Sequence, residues 1–386
     1  MRAVVCQNAA LRVAEVPAPV PGQGQVLLTV ERCGICGSDL HARTHADDLA
    51  DVAEQVGYTT AMRPGQEIVF GHEICGEVAG YGPRTRRSWR PGTRVVTMPV
   101  RRNGATVHLT GFDTAAPGGF AEQVVAQEPF TFEVPNGLSP ERAAFTEPLA
   151  VAWHAVRRGS VGRGQPAVVV GCGPIGLAVI LMLKAAGVRT VVASDFSPGR
   201  RALAQRCGAD VVVDPAAESP WTARPWRGPV NSLPDYLGFG LDTMNRLRGV
   251  PGLPWPRLMR LAELAGAVPA GPVIFECVGV PGMLEQVVTG APLRSRVVVV
   301  GVCMEADRFR PALALHKETE LRFVFGYDPG EFRDTLHMIA DGKVDPSPLL
   351  TGTVGLDGVD AAFTALGDPE KHAKILVDPH SPVTSA

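Results

Sequence analysis

The chain of 386 residues has no excess of either charge worth the name: 37 Lys plus Arg stand against 39 Asp plus Glu, a formal net charge of −2. Nor is there a sustained basic run. The densest, RTRRSWR at 84–90, reads as a solvated loop. Nucleic acid and membrane surfaces, which call for a basic field, are therefore not expected as main partners. Long apolar runs are also missing. The longest, AVVVGCGPIGLAVILML at 167–183, is too short and too broken by Gly and Pro for a membrane span, and it fits a buried strand, a turn and a buried helix. The N-terminal MRAVVCQNAALRVAEV has neither a long apolar core nor a small-residue cleavage site, so no secretory signal is expected. The eight cysteines are scattered, with Cys33 and Cys36 the one close pair. Without a disulfide framework the expected setting is reducing and cytoplasmic. Internal repeats and low-complexity tracts are absent too. What remains is a globular composition, 45% hydrophobic and 20% charged, long enough for two domains.

Two kinds of pattern follow one another along the chain. RAVVCQ, LRVAEVP, GQVLLTVERCG, EICGEVAGYG, GTRVVTMPV and GGFAEQVVA read as short strands punctuated by Gly and Pro, a compact β-rich unit. A helix is expected in SPERAAFTEPLAVAWHAVRRG, with Ser139 as N-cap and Glu141 in the first turn. From 166 the strands become continuous apolar runs (AVVVG, TVVASD, DVVVD, VIFECVG, VVVVGV) separated by helices at 174–186, 198–207 and 281–290. That alternation predicts an α/β doubly wound parallel sheet of Rossmann type. After 324 an amphipathic helix, GEFRDTLHMIADGKV, and a last strand, HAKILVDP, return to the mixed style. The expected division is 1–150, 151–324 and 325–386, the first and last forming one discontinuous domain. Residues 42–70 and about 216–271 look like insertions. The second reads either as a surface excursion packed on its own aromatics or as a substrate-side or oligomer contact.

Gly171-x-Gly173-x-x-Gly176 follows an expected strand and opens an expected helix, the setting in which this motif has meaning. Gly171 allows the tight turn, Gly173 the approach of a pyrophosphate, and Gly176 close helix–strand packing. Pro174 and Ile175 complete the turn, and the helix N-terminus offers free N–H groups to phosphates. Asp195 ends the next strand, 24 residues after Gly171, where a carboxylate bonds the adenosine ribose and repels a 2′-phosphate. NAD is thus expected over NADP. Arg200, counted with the cofactor contacts, and Arg201 pull weakly the other way.

The stretch ERCGICGSDLHA at 31–42 admits three readings. Cys33 and Cys36 could be a redox pair, though the flanking strands lack a thioredoxin-like setting. Cys33, Cys36, His72 and Cys75 could close a structural zinc, since CGIC and GHEIC both offer ligand spacing. Or Cys36 and His72, with carboxylate help, could hold a catalytic zinc that keeps one position open.

Taken in order, CGICGSDLH, GHEICGEV, GGFAEQVV, EPLAVAWHAV, GCGPIG, SDFSPGRRALAQRCGAD and ECVG resemble the zinc-dependent medium-chain dehydrogenases/reductases, above all the polyol (sorbitol) and threonine dehydrogenase branch. The resemblance spans nearly the whole chain apart from the two insertions. It implies a GroES-like β-rich catalytic domain beside the Rossmann domain, with Cys36 and His72 as zinc ligands. It places Glu147 at the third-ligand position, Glu73 as a carboxylate in or next to the coordination sphere, and Asp39 behind the histidine. Cys33 and Cys75 match no ligand and are taken as small core residues. Many relatives carry a four-cysteine lobe for a second zinc just before GGFAE; VRRNGATVHLTGFDTAAPGG has no cysteine, so one zinc per chain is expected. The resemblance also puts Lys374 at the cofactor pyrophosphate and Val278 and Val302 at the nicotinamide.

Zinc lowers the pKa of an oxygen it binds, so an alcohol could release its proton and then give its α-hydrogen as hydride to NAD. Ser38, two residues after Cys36, and His41, three further on, are the expected proton relay; a turn-capping serine and a surface histidine are the plainer readings. His154 is expected to be packed, and His45, His108, His316 and His337 to lie on the surface or in loops. Tyr58, Met62, Phe70, Phe112 and Trp153 fit either a bulky substrate pocket or ordinary packing. The expected activity is oxidation of a secondary alcohol or polyol to the carbonyl compound, by a homodimer or homotetramer. Its rivals are an NAD(P)H-dependent enone reductase and a non-catalytic dinucleotide sensor.

Overall fold

The computed structural model describes residues 1–223, 232–264 and 270–386. It divides into two compact units, Met1–His154 with Gly326–Ala386, and Ala155–Phe325. No helix among the described residues is long and apolar enough to cross a membrane.

The first unit is built on antiparallel strands. Its largest sheet runs in the order Thr131–Glu133, Arg94–Thr97, Glu73–Tyr81, Gln25–Gly34, Lys374–Val377, Leu350–Val354, with Gln123–Gln127 also paired to Gln25–Gly34. QVLLTVERCG alternates valine and leucine with polar residues, and Val26, Leu28, Val30 and Cys33 face one core with Val78, Val124, Phe120 and Ile375. Burying such side chains contributes about 1.5–3 kcal/mol each, which fixes the register: a one-residue slip would turn every one of them out. In that register Gly34 lies opposite both Glu73 and Leu376. Residues far apart in sequence, from CGIC, GHE and the C-terminal AKILV, thus meet at one end of the sheet.

The segment 42–70 is not a loop. Gly37–Thr44 and Ala46–Gln55 are helices, and Met62 and Phe70 lie in the core of this unit, Phe70 stacked on Phe363. His108, expected at the surface or in a loop, is buried in a strand: it sits on the short hairpin Val100–Asn103/Thr106–Leu109, and its Nδ1 lies 2.7 Å from Asp113. Asp113 also accepts from the Tyr58 hydroxyl at 3.0 Å and from the Ala115 N–H at 2.9 Å. His154 is packed against Glu331, 2.8 Å away.

The second unit holds a six-stranded, all-parallel sheet in the order Val211–Val213, Val191–Ser194, Ala167–Val170, Val273–Glu276, Arg296–Val299, Glu320–Phe323. This is the doubly wound α/β arrangement, with its reversal of strand order beside Ala167–Val170. The central strands are buried on both faces, which is why they read as unbroken apolar runs. The helix Pro174–Ala185 buries seven residues and is apolar nearly all round for the same reason.

Among the described residues of the 216–271 excursion, no cluster formed by its own aromatics is seen. Its described parts are two amphipathic helices, Leu233–Arg248 and Trp255–Leu264, neither of which buries a residue. Leu237, Leu241 and Leu261 are exposed, Tyr236 lies under Arg294, and Trp221 packs instead against the sheet core. The apolar stripes find no partner among the described residues, so the aromatics disperse. The portions 224–231 and 265–269, including part of PWTARPWRG, lie outside the described residues.

Candidate metal and dinucleotide sites

Cys36 ends the extended segment that follows Gln25–Gly34 and is the N-cap of the helix Gly37–Thr44. Asp39, wholly buried in the first turn, reaches back to accept the Cys36 N–H at 2.9 Å through Oδ2. Its other oxygen faces His72 Nδ1 at 3.3 Å. One carboxylate thus bonds the turn that carries the cysteine and lies within ion-pair distance of the imidazole. The opposite ring nitrogen, Nε2, lies 3.4 Å from Ser38 Oγ. Phe112 packs on the His72 ring, centroids 4.9 Å apart.

The ligand atoms of Cys36, His72 and Glu73 all lie within 4.8 Å of one another. Glu73 is fully buried at the start of its strand. Lys374 Nζ donates to Glu73 Oε1 at 2.6 Å and to the Ile35 carbonyl at 2.9 Å. Glu73 Oε2, although buried, has no hydrogen-bond partner among the described residues. It lies directly over Gly34: a Cβ there would sit 1.8 Å from it. The middle glycine of CGIC is therefore required by the carboxylate of GHE, a dependence that no local pattern reveals.

Lys374, expected at a pyrophosphate, is 1% exposed and committed to Glu73, so it is not free to bind a cofactor phosphate. Burial alone would depress its pKa, but Glu73, Cys36 and Glu147 more than offset this and hold it above the ordinary value. Burial would likewise depress His72, but Asp39 and Cys36 outweigh it and hold the imidazolium well above its usual range. Glu147, at the start of the helix Thr146–Gly159, stands outside the three-residue group. It accepts the Tyr327 hydroxyl at 2.9 Å, and burial followed by the neighbouring Glu73 charge pushes its pKa up to about 7, against the pull of His72, Tyr327 and Lys374. Tyr327, 180 residues away in sequence, carries no motif that would mark it as a partner of Glu147.

Cys33 and Cys75 stand apart from this group. Cys33 is core, its sulfur close to Gly71 and Gly119. Cys75 is buried where Glu31, Arg94, Arg32 and Glu141 supply the nearby charges. Burial pushes both thiols well above the ordinary range. A closed site of Cys33, Cys36, His72 and Cys75 therefore does not form, and the eight cysteines are all free thiols.

The donor set suits zinc. Sulfur, imidazole and carboxylate are its usual ligands, the unpaired Glu73 oxygen needs a cation or donor, and Asp39 behind His72 supplies the outer support that metal-binding histidines use. His41 lies one helical turn beyond Ser38, exposed, its ring 6.2 Å from that of His45. Partial shielding and the His45 charge both lower its pKa. Among the described residues no hydrogen bond joins it to Ser38.

In the second unit Gly171 has φ +87 and Gly176 packs so closely that a Cβ would lie 1.9 Å from the Gly171 carbonyl oxygen. Gly173 has nothing within 4 Å of a Cβ position, and as N-cap of Pro174–Ala185 it offers no side-chain acceptor. The first-turn N–H groups are thus left for an anion, over an open glycine. Pro174 stands at N1 and Ile175 follows it. Asp195 accepts the Cys172 N–H at 2.7 Å and the Ser197 N–H at 2.8 Å, which ties the glycine turn to the next strand. Arg200 lies in the first turn of Pro198–Arg206, whose N-cap is Ser197. Val278 is half-exposed, its Cγ2 over Gly171, and Val302 is exposed.

Two family models match the chain, "Alcohol dehydrogenase GroES-like domain" over residues 22–136 and "Zinc-binding dehydrogenase" over 174–227. The chain is 29% identical to (R,R)-butanediol dehydrogenase of Bacillus subtilis over 379 residues, 96% of this chain and 97% of that protein. It is 28% identical to sorbitol dehydrogenase of Bos taurus over 365 residues, 92% and 89% of the two. Among solved structures, 2R,3R-butanediol dehydrogenase from Bacillus subtilis superposes with a TM-score of 0.72 at 28% identity, covering 98% and 99% of the two chains. A putative zinc-binding dehydrogenase from Sinorhizobium meliloti 1021, bound to NADP, does so with a TM-score of 0.72 at 26% identity and the same coverage.

Proposed function

We propose, from the premise that the chain belongs to the zinc-dependent medium-chain dehydrogenases/reductases, that it oxidises a secondary alcohol with a neighbouring hydroxyl group, using NAD and one zinc ion per chain. It is an oxidoreductase acting on alcohols. The carrying observation is the grouping of a partly exposed Cys36 with the buried His72 and Glu73, one of whose carboxylate oxygens is without a hydrogen-bond partner among the described residues. The choice of a polyol-like substrate rests on likeness to the butanediol and sorbitol dehydrogenases. The choice of NAD rests on Asp195, which would repel a 2′-phosphate, and the single zinc on the lack of cysteine between 100 and 119. A homodimer or homotetramer in the cytoplasm fits the family and the eight free thiols.

Cys36, His72 and Glu73 would hold the zinc, with Glu147 as a further carboxylate, and zinc supplies Lewis acidity to a hydroxyl oxygen. NAD, on the glycine turn and the helix behind it, supplies the hydride acceptor. The chain's own residues do the rest. Asp39, within ion-pair distance of His72 Nδ1, would orient the ring with Nε2 toward the metal. Lys374 binds one oxygen of Glu73 and leaves the other free. Ser38 takes the hydroxyl proton, and His41, on the exposed next turn, hands it to solvent; its lowered pKa keeps it neutral and able to accept at pH 7.

The test is zinc per chain by elemental analysis on wild type and Cys36→Ser, each assayed with NAD and a panel of secondary alcohols and diols. One zinc in wild type, lost together with activity in the variant, is expected. Retained activity without the cysteine would point to another metal site or, where the turnover is of enones with NAD(P)H, to the enone reductase; zinc without turnover on any alcohol would point to the sensor.

A further inference from the structure

The two turns at the carboxyl ends of Val273–Glu276 and Arg296–Val299 are joined in a way that the glycine motif and Asp195 do not explain. Glu276 is buried, and its side chain accepts the Val278 N–H at 2.7 Å and the Gly279 N–H at 2.9 Å. Its carbonyl accepts the N–H groups of Val300 and Gly301 at 2.8 and 2.9 Å. The two turns touch through backbone alone: a Cβ on Gly301 would lie 2.4 Å from Gly279 N, and one on Gly279 2.6 Å from Val302 N. Beyond this contact the second turn runs on without regular structure until Pro311–His316, but it is tied back once more. Asp307 accepts the Gly282 N–H through Oδ1 at 2.8 Å and the Leu284 N–H through Oδ2 at 3.1 Å. The helix Met283–Gly290 begins on Gly282, which has no side chain to cap it, so its cap comes from 25 residues downstream.

The strand order says what lies over these turns. In an open parallel sheet the ligand lies along the carboxyl ends at the reversal of order. Here the glycine turn is central and Asp195 lies to one side, so the other half of a dinucleotide lies toward Val278 and Val302. We propose that Asp307 is a positioning residue for the nicotinamide half of the cofactor: by capping Met283–Gly290 from the neighbouring turn, it sets Val278 and Val302 at a fixed spacing. It touches the two turns and not the reacting atoms. The inference rests on the dinucleotide reading above.

The experiment compares NADH, by fluorescence titration, with ADP-ribose, which lacks the nicotinamide, by calorimetric titration. Both are run on wild type, Asp307→Ala and Asp307→Asn, with melting temperatures alongside. Asp307→Ala should bind NADH about tenfold more weakly, on the order of one lost charge-assisted hydrogen bond, and ADP-ribose within about twofold of wild type. Asp307→Asn, which keeps one acceptor oxygen, should recover part of the NADH affinity and also serves if the alanine variant does not fold. Equal weakening of both ligands, or no change in either, would overturn the positioning role. Wild type that binds neither ligand would overturn the dinucleotide reading and this inference with it.

Discussion

Replacing Lys374 by methionine removes the cation bonded to Glu73 and leaves a carboxylate that is 0% exposed. Both side chains are essentially out of water, so the discount that applies to surface pairs does not apply here. Stranding one charge of a buried pair costs about 3–5 kcal/mol. The Ile35 carbonyl also loses its Lys374 donor, which acts in the same direction. For a unit in the 150–250 residue range each kcal/mol moves the melting temperature by about 2–4 °C, so the zinc-free protein should melt roughly 6–20 °C lower. The loss should be smaller when zinc is bound, because the metal becomes a second counter-charge for the same carboxylate. Removing the charge as well, in Lys374→Met/Glu73→Gln, should recover at least about half of the loss, since the double change no longer buries a lone anion. Scanning calorimetry of the three proteins, each stripped of and loaded with zinc, makes the comparison. If Lys374→Met melts within about 2 °C of wild type without zinc, Glu73 is not the buried anion described here. If instead the double variant is worse than the single, the pair is not coupled and Lys374 acts through something else.

Two further outcomes follow from the same electrostatics. His41→Gln should slow alcohol oxidation near neutral pH, added imidazole should restore part of the rate, and the acid limb of the wild-type profile, falling below the ordinary histidine pKa of about 6.5, should vanish; an unchanged profile removes His41 from the relay. Asp113→Ala strands Tyr58, His108 and the Ala115 N–H and should cost about 2–4 kcal/mol at pH 7. Burial raises the Asp113 pKa, but Thr60, His108, Ala115 and Tyr58 outweigh it and hold it below the ordinary value. The wild-type advantage is therefore full above the unfolded carboxylate pKa of about 3.9 and fades as pH falls through the lower folded value. Urea unfolding at pH 7 and pH 3 reads this, and a difference that persists unchanged at pH 3 would contradict it.

Residues whose partners lie nearby in sequence, or whose burial is complete, could be read before the fold was known. AVVVG, VIFECVG and VVVVGV are apolar without alternation because the parallel sheet is covered on both faces, and Gly171 and Gly176 betray themselves because a tight turn and a helix on its strand leave no room for a side chain. Cys36, Ser38 and Asp39 share one helical turn, so their grouping is written in CGICGSD itself. The excursion at 216–271 is legible only in part: its Trp, Tyr and Pro suggest a small core, but whether an apolar stripe is covered depends on what lies opposite it, and Leu237 and Leu241 are exposed.

Lys374 shows most clearly where local reading stops. A lysine entering a last strand is ordinarily at the surface or on a phosphate, since lysine is almost never fully buried unless paired. Its partner lies 301 residues earlier, and the two meet only because Lys374–Val377 pairs with Gln25–Gly34, which in turn pairs with the strand that Glu73 opens. Gly34 and Tyr327 belong to the same case. The glycine is fixed by a carboxylate on the neighbouring strand, and the tyrosine holds Glu147 from the returning C-terminal segment. The ligand-type residues of this site thus sit in short motifs that can be read one by one, whereas the groups that set their charge and orientation come from strand pairing. A substitution at Lys374, Gly34 or Tyr327 should therefore disturb the metal site as surely as one at a donor residue, although none of the three offers a metal a ligand.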